Sequence, residues 1–380
     1  MAESQESTRL IEAARRLAAE KLAPDAQRVD RDAAFPTEAL RAMADAGFCA
    51  MSIPAEYGGN PVDAETICRV TEELARGCPS TAAVLMAYVI GIQPLVDAGT
   101  PEQKKAYLPD LARARRSVCF AVTEAHAGSD VSAMSTAAKR HGDGWVLNGI
   151  KCLIGNAVGA DLCIVGAKTN PDAGHKGVSV FVVEANTPGY SVSRVYTKMG
   201  MRGTTTGEIT FDNVVVPHNA LLGAEGQGSQ YLLGTLDLAR LTLAAEAIGL
   251  AQAALEESVS YAKLRLTFGQ PLANRQAIQF MLADMATSIH AARTMLYHAC
   301  ELRSQGKPFN MEASMVKLFA SEMAGRVSDS ALQIHGGWGL VDHSRVEALY
   351  RDARYTRIWE GASEIQRMII SRCLLREKSA

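Results

Sequence analysis

The sequence carries no excess of charge of either sign. Its 39 Lys and Arg residues nearly balance 41 Asp and Glu residues, so the net charge at pH 7 is −2. A long stripe of basic residues is also missing. Because phosphate backbones are bound mainly through Lys and Arg, this balance argues against nucleic acid as a main partner.

The cysteines lack the spacing of a zinc site. All eight are scattered and none forms a Cys-x-x-Cys pair, so no metal site is expected. We expect buried thiols in a reducing compartment. The first residues include Glu3 and Glu6 but no apolar core, which is typical of neither a secretory signal nor a transit peptide. These features predict a cytoplasmic protein.

Long hydrophobic runs are missing as well. The longest, at 82–96, is interrupted by Gln93 and Pro94. A membrane span needs about 20 apolar residues, so we interpret this run as a buried core helix and expect no membrane partner.

Motifs of three other enzyme classes are not found. There is no Gly-x-Ser-x-Gly elbow, although His335-Gly336-Gly337 superficially resembles the oxyanion loop of esterases, so a serine hydrolase is not supported. A Gly-x-Gly-x-x-Gly turn after a strand and a Walker loop are also missing, which leaves NAD and ATP without support.

What is present is a chain of 380 residues, large enough for a generous core, with helical patterns in its first third. Apolar spacing predicts a helix from Ser7 to Leu22 that ends before Pro24. A second, short helix opens at Pro36-Thr37. Thr100, with Pro101 and Gln103, predicts an N-cap and a helix toward Ala112. We assign residues 1–115 to an N-terminal helical domain.

The period then changes. Short apolar runs separated by Gly, Pro and Asn predict strands at 118–122, 135–140, 145–148, 162–167, 178–183, 190–195 and 208–216. We expect a small β-barrel or sandwich over residues 116–225. Helical stripes return at 229–266, 275–305, 311–334 and 343–355, which predicts a four-helix bundle over residues 226–380. The fold class is therefore α+β, mostly α.

A block near the C-terminus carries the most specific signal. It reads Tyr-Arg-Asp-Ala-Arg at 350–354 and Ile-Trp-Glu-Gly-Ala-Ser-Glu-Ile-Gln-Arg at 358–367. This block resembles the signature of the acyl-CoA dehydrogenase family, in which the Glu of a (Tyr/Trp)-Glu-Gly segment is the catalytic base. The resemblance implies that Glu360 removes the α-proton of an acyl thioester while a flavin accepts the β-hydride. A buried carboxylate suits that task; the alternative is a helix-start acid that favours the dipole.

Two further segments resemble the family's flavin-binding loops. Residues 120–130 resemble Thr-Glu-Pro-x-Ala-Gly-Ser-Asp, which implies that Thr123 contacts the isoalloxazine and that Ser129 lies between flavin and acyl-CoA. An ordinary turn is the alternative. Residues 151–156 take the place of Trp-Ile-Thr-Asn, with Leu153 at the usual Trp and Gly155 at the usual Thr. His126, where Pro is common, is an ordinary loop residue or a substrate-side group. The first set of cofactor residues is Phe120, Val122, Thr123, Ser129, Leu153, Ile154 and Gly155.

A second set resembles the segments that reach the pyrophosphate and adenosine of a flavin bound mainly by another subunit. It comes from an Arg-x-Thr-Phe-Gly segment, a Gln-x-x-Gly-Gly-x-Gly loop and the C-terminal block. Arginine suits this role because its fork bonds phosphate oxygens in pairs; the alternative is a basic helix end with a Gly stop. The members are Arg265, Thr267, Phe268, Gln276, Gln333, Gly336, Gly337 and Glu364.

The resemblance also implies a substrate site. Asp237 and Arg240, with Ser129 and Gly361, would line the acyl-CoA, or the pair forms a surface ion pair. Some family members place the base at the position of Ala239, where alanine cannot serve. We expect the acyl pocket between the helix at 82–96 and the start of the helix at 229; branched, cyclic and short straight acyl groups remain open.

The helix–β–helix order of the chain is also that of the family. The resemblance then implies FAD as cofactor, oxidation of acyl-CoA to trans-2-enoyl-CoA, electron transfer to an electron-transfer flavoprotein, and a homo-oligomer, in the family a tetramer. Three alternatives stay open: a flavin oxidase or monooxygenase of the same fold, a dehydrogenase of a carrier-protein-bound acyl group, and a non-catalytic binding homologue.

Overall fold

The computed structural model describes residues 4–342 and 344–375. Six helices come first: α1 (Gln5–Leu17), α2 (Ala23–Asp32), α3 (Thr37–Asp45), α4 (Ala64–Gly77), α5 (Pro79–Ala98) and α6 (Pro101–Ala112). Eight strands follow: β1 (Val118–Ala121), β2 (Ala137–His141), β3 (Gly144–Gly155), β4 (Leu162–Lys168), β5 (Val178–Glu184), β6 (Tyr190–Val195), β7 (Thr206–Val216) and β8 (Leu221–Leu222). The last part contains α7 (Gly228–Leu264), β9 (Leu266–Thr267), β10 (Gln270–Pro271), α8 (Gln276–Ser304), α9 (Asn310–His335), α10 (Arg345–Thr356) and α11 (Ser363–Leu375). The predicted fold class is confirmed.

The first predicted helix end is wrong. The chain stays helical through Pro24, because a π-helical turn at Ala18–Leu22 leads directly into α2. A proline ring normally clashes with the carbonyl of the preceding turn. Here Pro24 lies in the first turn of α2, just after the widened π turn, where its missing N–H costs nothing.

Two other helix predictions are confirmed. Thr100 and Gln103 form a reciprocal capping box at the start of α6. The apolar run at 82–96 lies within the buried helix α5, which continues through Pro94 rather than breaking there. By length and composition α5 and α7 could each cross a membrane, but 78% and 89% of their apolar windows are buried inside the protein. The core-helix interpretation therefore fits.

Strands β1 to β8 form one sheet in the order β6-β7-β3-β2-β4-β5-β8, with β1 parallel to β4, and β9 and β10 form a separate antiparallel pair. Strand β3 is longer than predicted, because it runs on from the hairpin through the segment at 151–155. That extension pairs with β7, and β1 ends beside it, so both predicted flavin loops leave the same end of the sheet.

The long helix α7 runs through the centre of the C-terminal part and packs against α4, α5, α8, α9 and α10. The predicted bundle helices match within three residues at each end, and His343, the predicted start of the last of them, lies outside the described residues. All cysteines except Cys373 are buried, as expected. A small apolar cluster joins α5, β1, α7 and the turn after α10, and this junction holds the candidate site.

Candidate active site

Glu360 lies in a tight turn between α10 and α11. Its φ is 52° and that of Gly361 is 94°, so two successive residues have left-handed backbone, which is strained for glutamate. The Gly361 carbonyl accepts hydrogen bonds from Lys317 Nζ at 2.6 Å and from Gln366 Nε2 at 2.9 Å. The turn is therefore fixed by side chains from α9 and α11.

The carboxylate of Glu360 stays free. It accepts no hydrogen bond from the part of the chain that the structure describes, and the residue is partly exposed. Burial raises the pKa of Glu360, whereas the positive charges of Lys317 and Arg240 lower it. A carboxylate with a raised pKa and uncommitted oxygens is suited to accept a proton.

Arg240 and Asp237 lie beside this turn on α7. They form an ion pair, and Asn310 Nδ2 donates to Asp237 Oδ1 at 2.7 Å. Burial raises the pKa of Asp237 despite the neighbouring Arg240 charge. Arg240 is buried, so the pair is not the exposed surface pair of the alternative interpretation.

An apolar cluster borders the turn. Met86 and Ile90 of α5 contact Ala239 and Leu243 of α7, and all four are at most 2% exposed. Phe120 at the end of β1 and Trp359 pack against this cluster. Ala239 carries no titratable group, and neither do the other three members, so the cluster itself supplies no second base.

The loop after β1 is tied to β3 by a buried ion pair. Lys151 Nζ donates to Glu124 Oε1 at 2.8 Å and to the Val122 carbonyl at 2.9 Å. Glu124 also accepts from the Ser135 backbone N–H at 2.6 Å and from the Thr136 N–H at 2.9 Å. These bonds hold the two predicted flavin segments in a fixed register.

The first set of cofactor residues lies on β1, on the loop after it and on the neighbouring end of β3. Phe120, Val122 and Ile154 are wholly or mostly buried, and the Thr123 carbonyl accepts from the Cys152 N–H at 2.8 Å. Ser129 is exposed, and Leu153 has a φ of 59° and is 59% exposed. The structure thus brings the first set to one end of the sheet, with Phe120 and Trp359 sharing one cluster.

Four members of the second set border a cavity whose lining contains no residue of the first set. This cavity of about 530 Å³ is bordered by Arg265 and Thr267 on one side and by Gly336 and Gly337 on the other. Nothing lies within 4 Å of the points where side chains of the two glycines would start, so their backbone faces open space. The remaining members are exposed and are not among the residues that border this cavity: Phe268, Gln276, Gln333 and Glu364.

Sequence reasoning missed the roles of four buried charged residues. Lys317 lies 43 residues before Glu360 in an ordinary helix, and no motif marks it. Lys151 and Glu124 stand inside the two flavin segments, but their pairing appears only in the fold. Glu246, on α7, is 0% exposed, and neither of its carboxyl oxygens has a partner among the described residues. Burial first, and then the charges of Asp352 and Glu360, raise the pKa of Glu246 well above its usual range.

Comparison with known families covers nearly the whole chain. Residues 4–115 match the N-terminal domain of acyl-CoA dehydrogenases, residues 119–214 match the middle domain, and residues 226–375 match the C-terminal domain.

Individual relatives agree with the family models. The human mitochondrial short-chain specific acyl-CoA dehydrogenase is 40% identical over 97% of this chain and 89% of its own length. Butyryl-CoA dehydrogenase from Megasphaera elsdenii superposes with a TM-score of 0.96 at 35% identity and covers 99% of this chain and 100% of its own. A chain in the structure of the electron transferring flavoprotein of Acidaminococcus fermentans gives a TM-score of 0.97 at 38% identity, with the same coverage of 99% and 100%. The chain therefore belongs to the acyl-CoA dehydrogenase family and is an oxidoreductase of that kind.

Proposed function

We propose that this protein oxidises an acyl-CoA to the trans-2-enoyl-CoA with Glu360 as the base. The observation that carries the proposal is the Glu360 turn. Its backbone is strained and held by hydrogen bonds, while its carboxylate is free. Its raised pKa supports proton abstraction near neutral pH. Arg240 and the neighbouring apolar cluster offer one polar and one apolar surface beside the turn, which suits an acyl thioester.

The residues present fit FAD. The first set offers backbone and hydroxyl groups at the end of the sheet, and the open glycine backbone at 336–337 with Arg265 suits a pyrophosphate or adenosine. When bound, FAD supplies the acceptor for the β-hydride. Val122, Thr123 and Ile154 would hold the ring side, and Arg265 and Thr267 would hold the adenosine side.

A second copy of this chain is the proposed occupant of the surface beside the 530 Å³ cavity. Arg265, Thr267, Gly336 and Gly337 line a cavity that no residue of the first set borders, which supports a cofactor shared between subunits. Apolar side chains next to the cavity lining are exposed, namely Leu264, Leu266, Phe268, Trp338 and Leu340. We propose a tetramer, tested by light scattering of the FAD-loaded protein; a monomer would contradict it.

We further propose that the preferred acyl groups are short. Met86, Ile90 and Leu243 fill the space beside Phe120 and Trp359, so a long chain would meet packed side chains. Met86→Ala should let octanoyl-CoA react at a rate closer to that of butyryl-CoA. Leu85→Ala, which removes a buried side chain of the same helix in a different cluster, is the control and should leave the preference unchanged.

The test of the function is anaerobic mixing of the FAD-loaded protein with a panel of acyl-CoAs and of carrier-protein thioesters. Loss of the visible flavin absorbance with one acyl-CoA, and its absence in Glu360→Gln, would support the proposal. Loss that survives Glu360→Gln would refute the assigned base, and reaction with carrier-protein thioesters alone would change the substrate. Electron transfer flavoprotein is the proposed electron acceptor, supported by the relative whose structure bears that name.

Oxygen chemistry is the second candidate. It is favoured by Gly155, whose missing side chain would meet nothing closer than the Ala87 Cβ at 3.8 Å, and by the exposed Leu153. Space at the place of a usual threonine and tryptophan gives oxygen a path. Hydrogen peroxide formed in step with acyl-CoA consumption in air, without added acceptor, would favour an oxidase.

A further inference from the structure

Lys317 is a buried cation outside every motif of the sequence. Its side chain, in the middle of α9, is 0% exposed. Burial lowers the pKa of Lys317 to about 8, against the opposing charge of Glu360. A buried ammonium is costly unless a nearby charge and a hydrogen bond compensate it. Its position therefore requires a compensating partner.

The compensation comes from the Glu360 turn. Lys317 Nζ donates to the Gly361 carbonyl at 2.6 Å, directly after the base in the chain. The acidic groups that act on Lys317 are Glu360 in the turn, Glu364 on α11 and Glu322 on α9, and Arg240 on α7 opposes them. Glu322 is engaged by Arg367 at 2.9 Å, and Glu364 is exposed. Glu360 is thus the buried anion that Lys317 faces.

The charges of this junction balance only when the base is ionised. Lys317 and Arg240 supply two positive charges, and Asp237 and Glu360 supply two negative charges. Protonation of Glu360 leaves one positive charge without compensation in a poorly solvated place. Glu246, which also senses Glu360, adds no charge while it stays protonated.

We propose that Lys317 is a positioning residue for Glu360, which holds the turn through the Gly361 carbonyl and keeps the base in its carboxylate form. This inference rests on the proposed role of Glu360. The hydrogen bond fixes the position of the backbone that carries the Glu360 side chain. The charge increases the fraction of Glu360 that is ionised and therefore able to accept a proton. Lys317 touches neither substrate nor cofactor in this role.

The test is the pH dependence of flavin reduction by the best acyl-CoA in Lys317→Met and Lys317→Gln. Loss of the cation raises the pKa of Glu360, so the acid limb of the rate should move up by about one pH unit or more in both variants. On the acid limb, a shift of one unit is about a tenfold lower rate than wild type at the same pH. Lys317→Gln keeps a donor for the Gly361 carbonyl, so its plateau rate should fall less than that of Lys317→Met.

Lys198→Met is the matched control. Lys198 is also largely buried, its pKa is also lowered to about 8 by burial, and it donates to the Thr204 carbonyl at 2.5 Å. Its removal should leave the acid limb in place. An unchanged acid limb in both Lys317 variants, with FAD bound and normal circular dichroism, would overturn the proposal.

A second measurement needs no turnover. The infrared band of the Glu360 carboxyl, obtained as the difference between wild type and Glu360→Gln across pH, titrates the base directly. Its midpoint should rise in Lys317→Met and stay fixed in Lys198→Met. An equal midpoint in wild type and Lys317→Met would overturn the inference even if no thioester reduces the flavin, whereas a shifted midpoint without any reduction would count against the proposed function alone.

Discussion

Two regions of this molecule place a glutamate near a buried lysine, but the two glutamates have opposite roles. At the sheet, Glu124 accepts four hydrogen bonds, from Lys151 Nζ, the Ser135 N–H and hydroxyl, and the Thr136 N–H. At the C-terminal turn, Lys317 bonds the carbonyl of Gly361 and leaves the Glu360 carboxylate unbonded. The same pair of residue types therefore makes a fixed anchor in one place and an available base in the other.

The pKa values follow this difference. Burial alone would raise the pKa of Glu124, but the charge and hydrogen bond of Lys151, with Ser135 and Thr136, hold it at about 2. Burial raises the pKa of Glu360, and the charges of Lys317 and Arg240 offset only part of the effect. Hydrogen bonds to a carboxylate favour its charged form, so a base must do without them. What separates anchor from base is the number of donors.

The largest expected effect comes from replacing each carboxylate by an amide. Glu360→Gln should slow flavin reduction by about 10²–10⁴-fold and retain FAD, because the proton acceptor is lost while the turn keeps its bonds to Lys317 and Gln366. Glu124→Gln should loosen FAD and leave the rate of the FAD-saturated protein nearly unchanged. Stopped-flow reduction and FAD titration separate the two outcomes. Equal kinetic losses in both variants would contradict the assignment of Glu124 as an anchor and Glu360 as the base.

The next effect concerns the anchor. Lys151→Met leaves the Glu124 carboxylate buried and short of a cation, which should cost about 3–5 kcal/mol of unfolding free energy and weaken FAD binding. The double variant Glu124→Gln, Lys151→Met should recover part of the loss. Urea unfolding and FAD fluorescence measure both quantities.

Arg293→Met is the comparison for this anchor. It breaks the ion pair between Arg293 and Glu72 at 2.7 Å, where the Arg293 side chain is 25% exposed, so the stability loss should be smaller and FAD binding unaffected. A double variant no more stable than Lys151→Met, or equal FAD loss in Arg293→Met, would show that the pair has no specific link to the cofactor loops.

Local sequence signals predicted most of the fold. The capping box at Thr100 and the period change near Ser117 are local signals, and local geometry follows them. The helix α4 was missed although Asp63 accepts a hydrogen bond from the Thr66 N–H as an N-cap should. The predicted helix end before Pro24 was wrong because a π turn, which depends on packing, accommodates the proline ring.

The site divides in the same way. Resemblance singled out Glu360, Arg240 and Phe120, because these residues stand in recognisable motifs, and the structure brings them to one junction. Lys317 could not be predicted, since a lysine in an amphipathic helix is normally solvated, and only the packing of α9 against the turn buries it. The parts of a site that tune a residue come from distant elements and leave no local pattern.

Glu246 is a third carboxyl to set beside Glu124 and Glu360, and it is buried. Among the described residues, its carboxyl oxygens have no hydrogen-bond donor and no cation as a partner. Its pKa is raised, so the folded state keeps a proton that the unfolded chain releases above about pH 4.5, and stability falls as pH rises from there toward the folded-state pKa. Glu246→Gln removes this penalty and should stabilise the protein at pH 7 but have almost no effect near pH 4.5. Thermal unfolding at both pH values measures the difference in stability between Glu246→Gln and wild type.

Because Glu246 is neutral in the working enzyme, Glu246→Gln should leave the acid limb of flavin reduction in place, in contrast to Lys317→Met. A stability difference between Glu246→Gln and wild type that does not change with pH would mean that Glu246 is ionised in the folded protein. Glu360 would then interact with a negative charge rather than with a neutral acid.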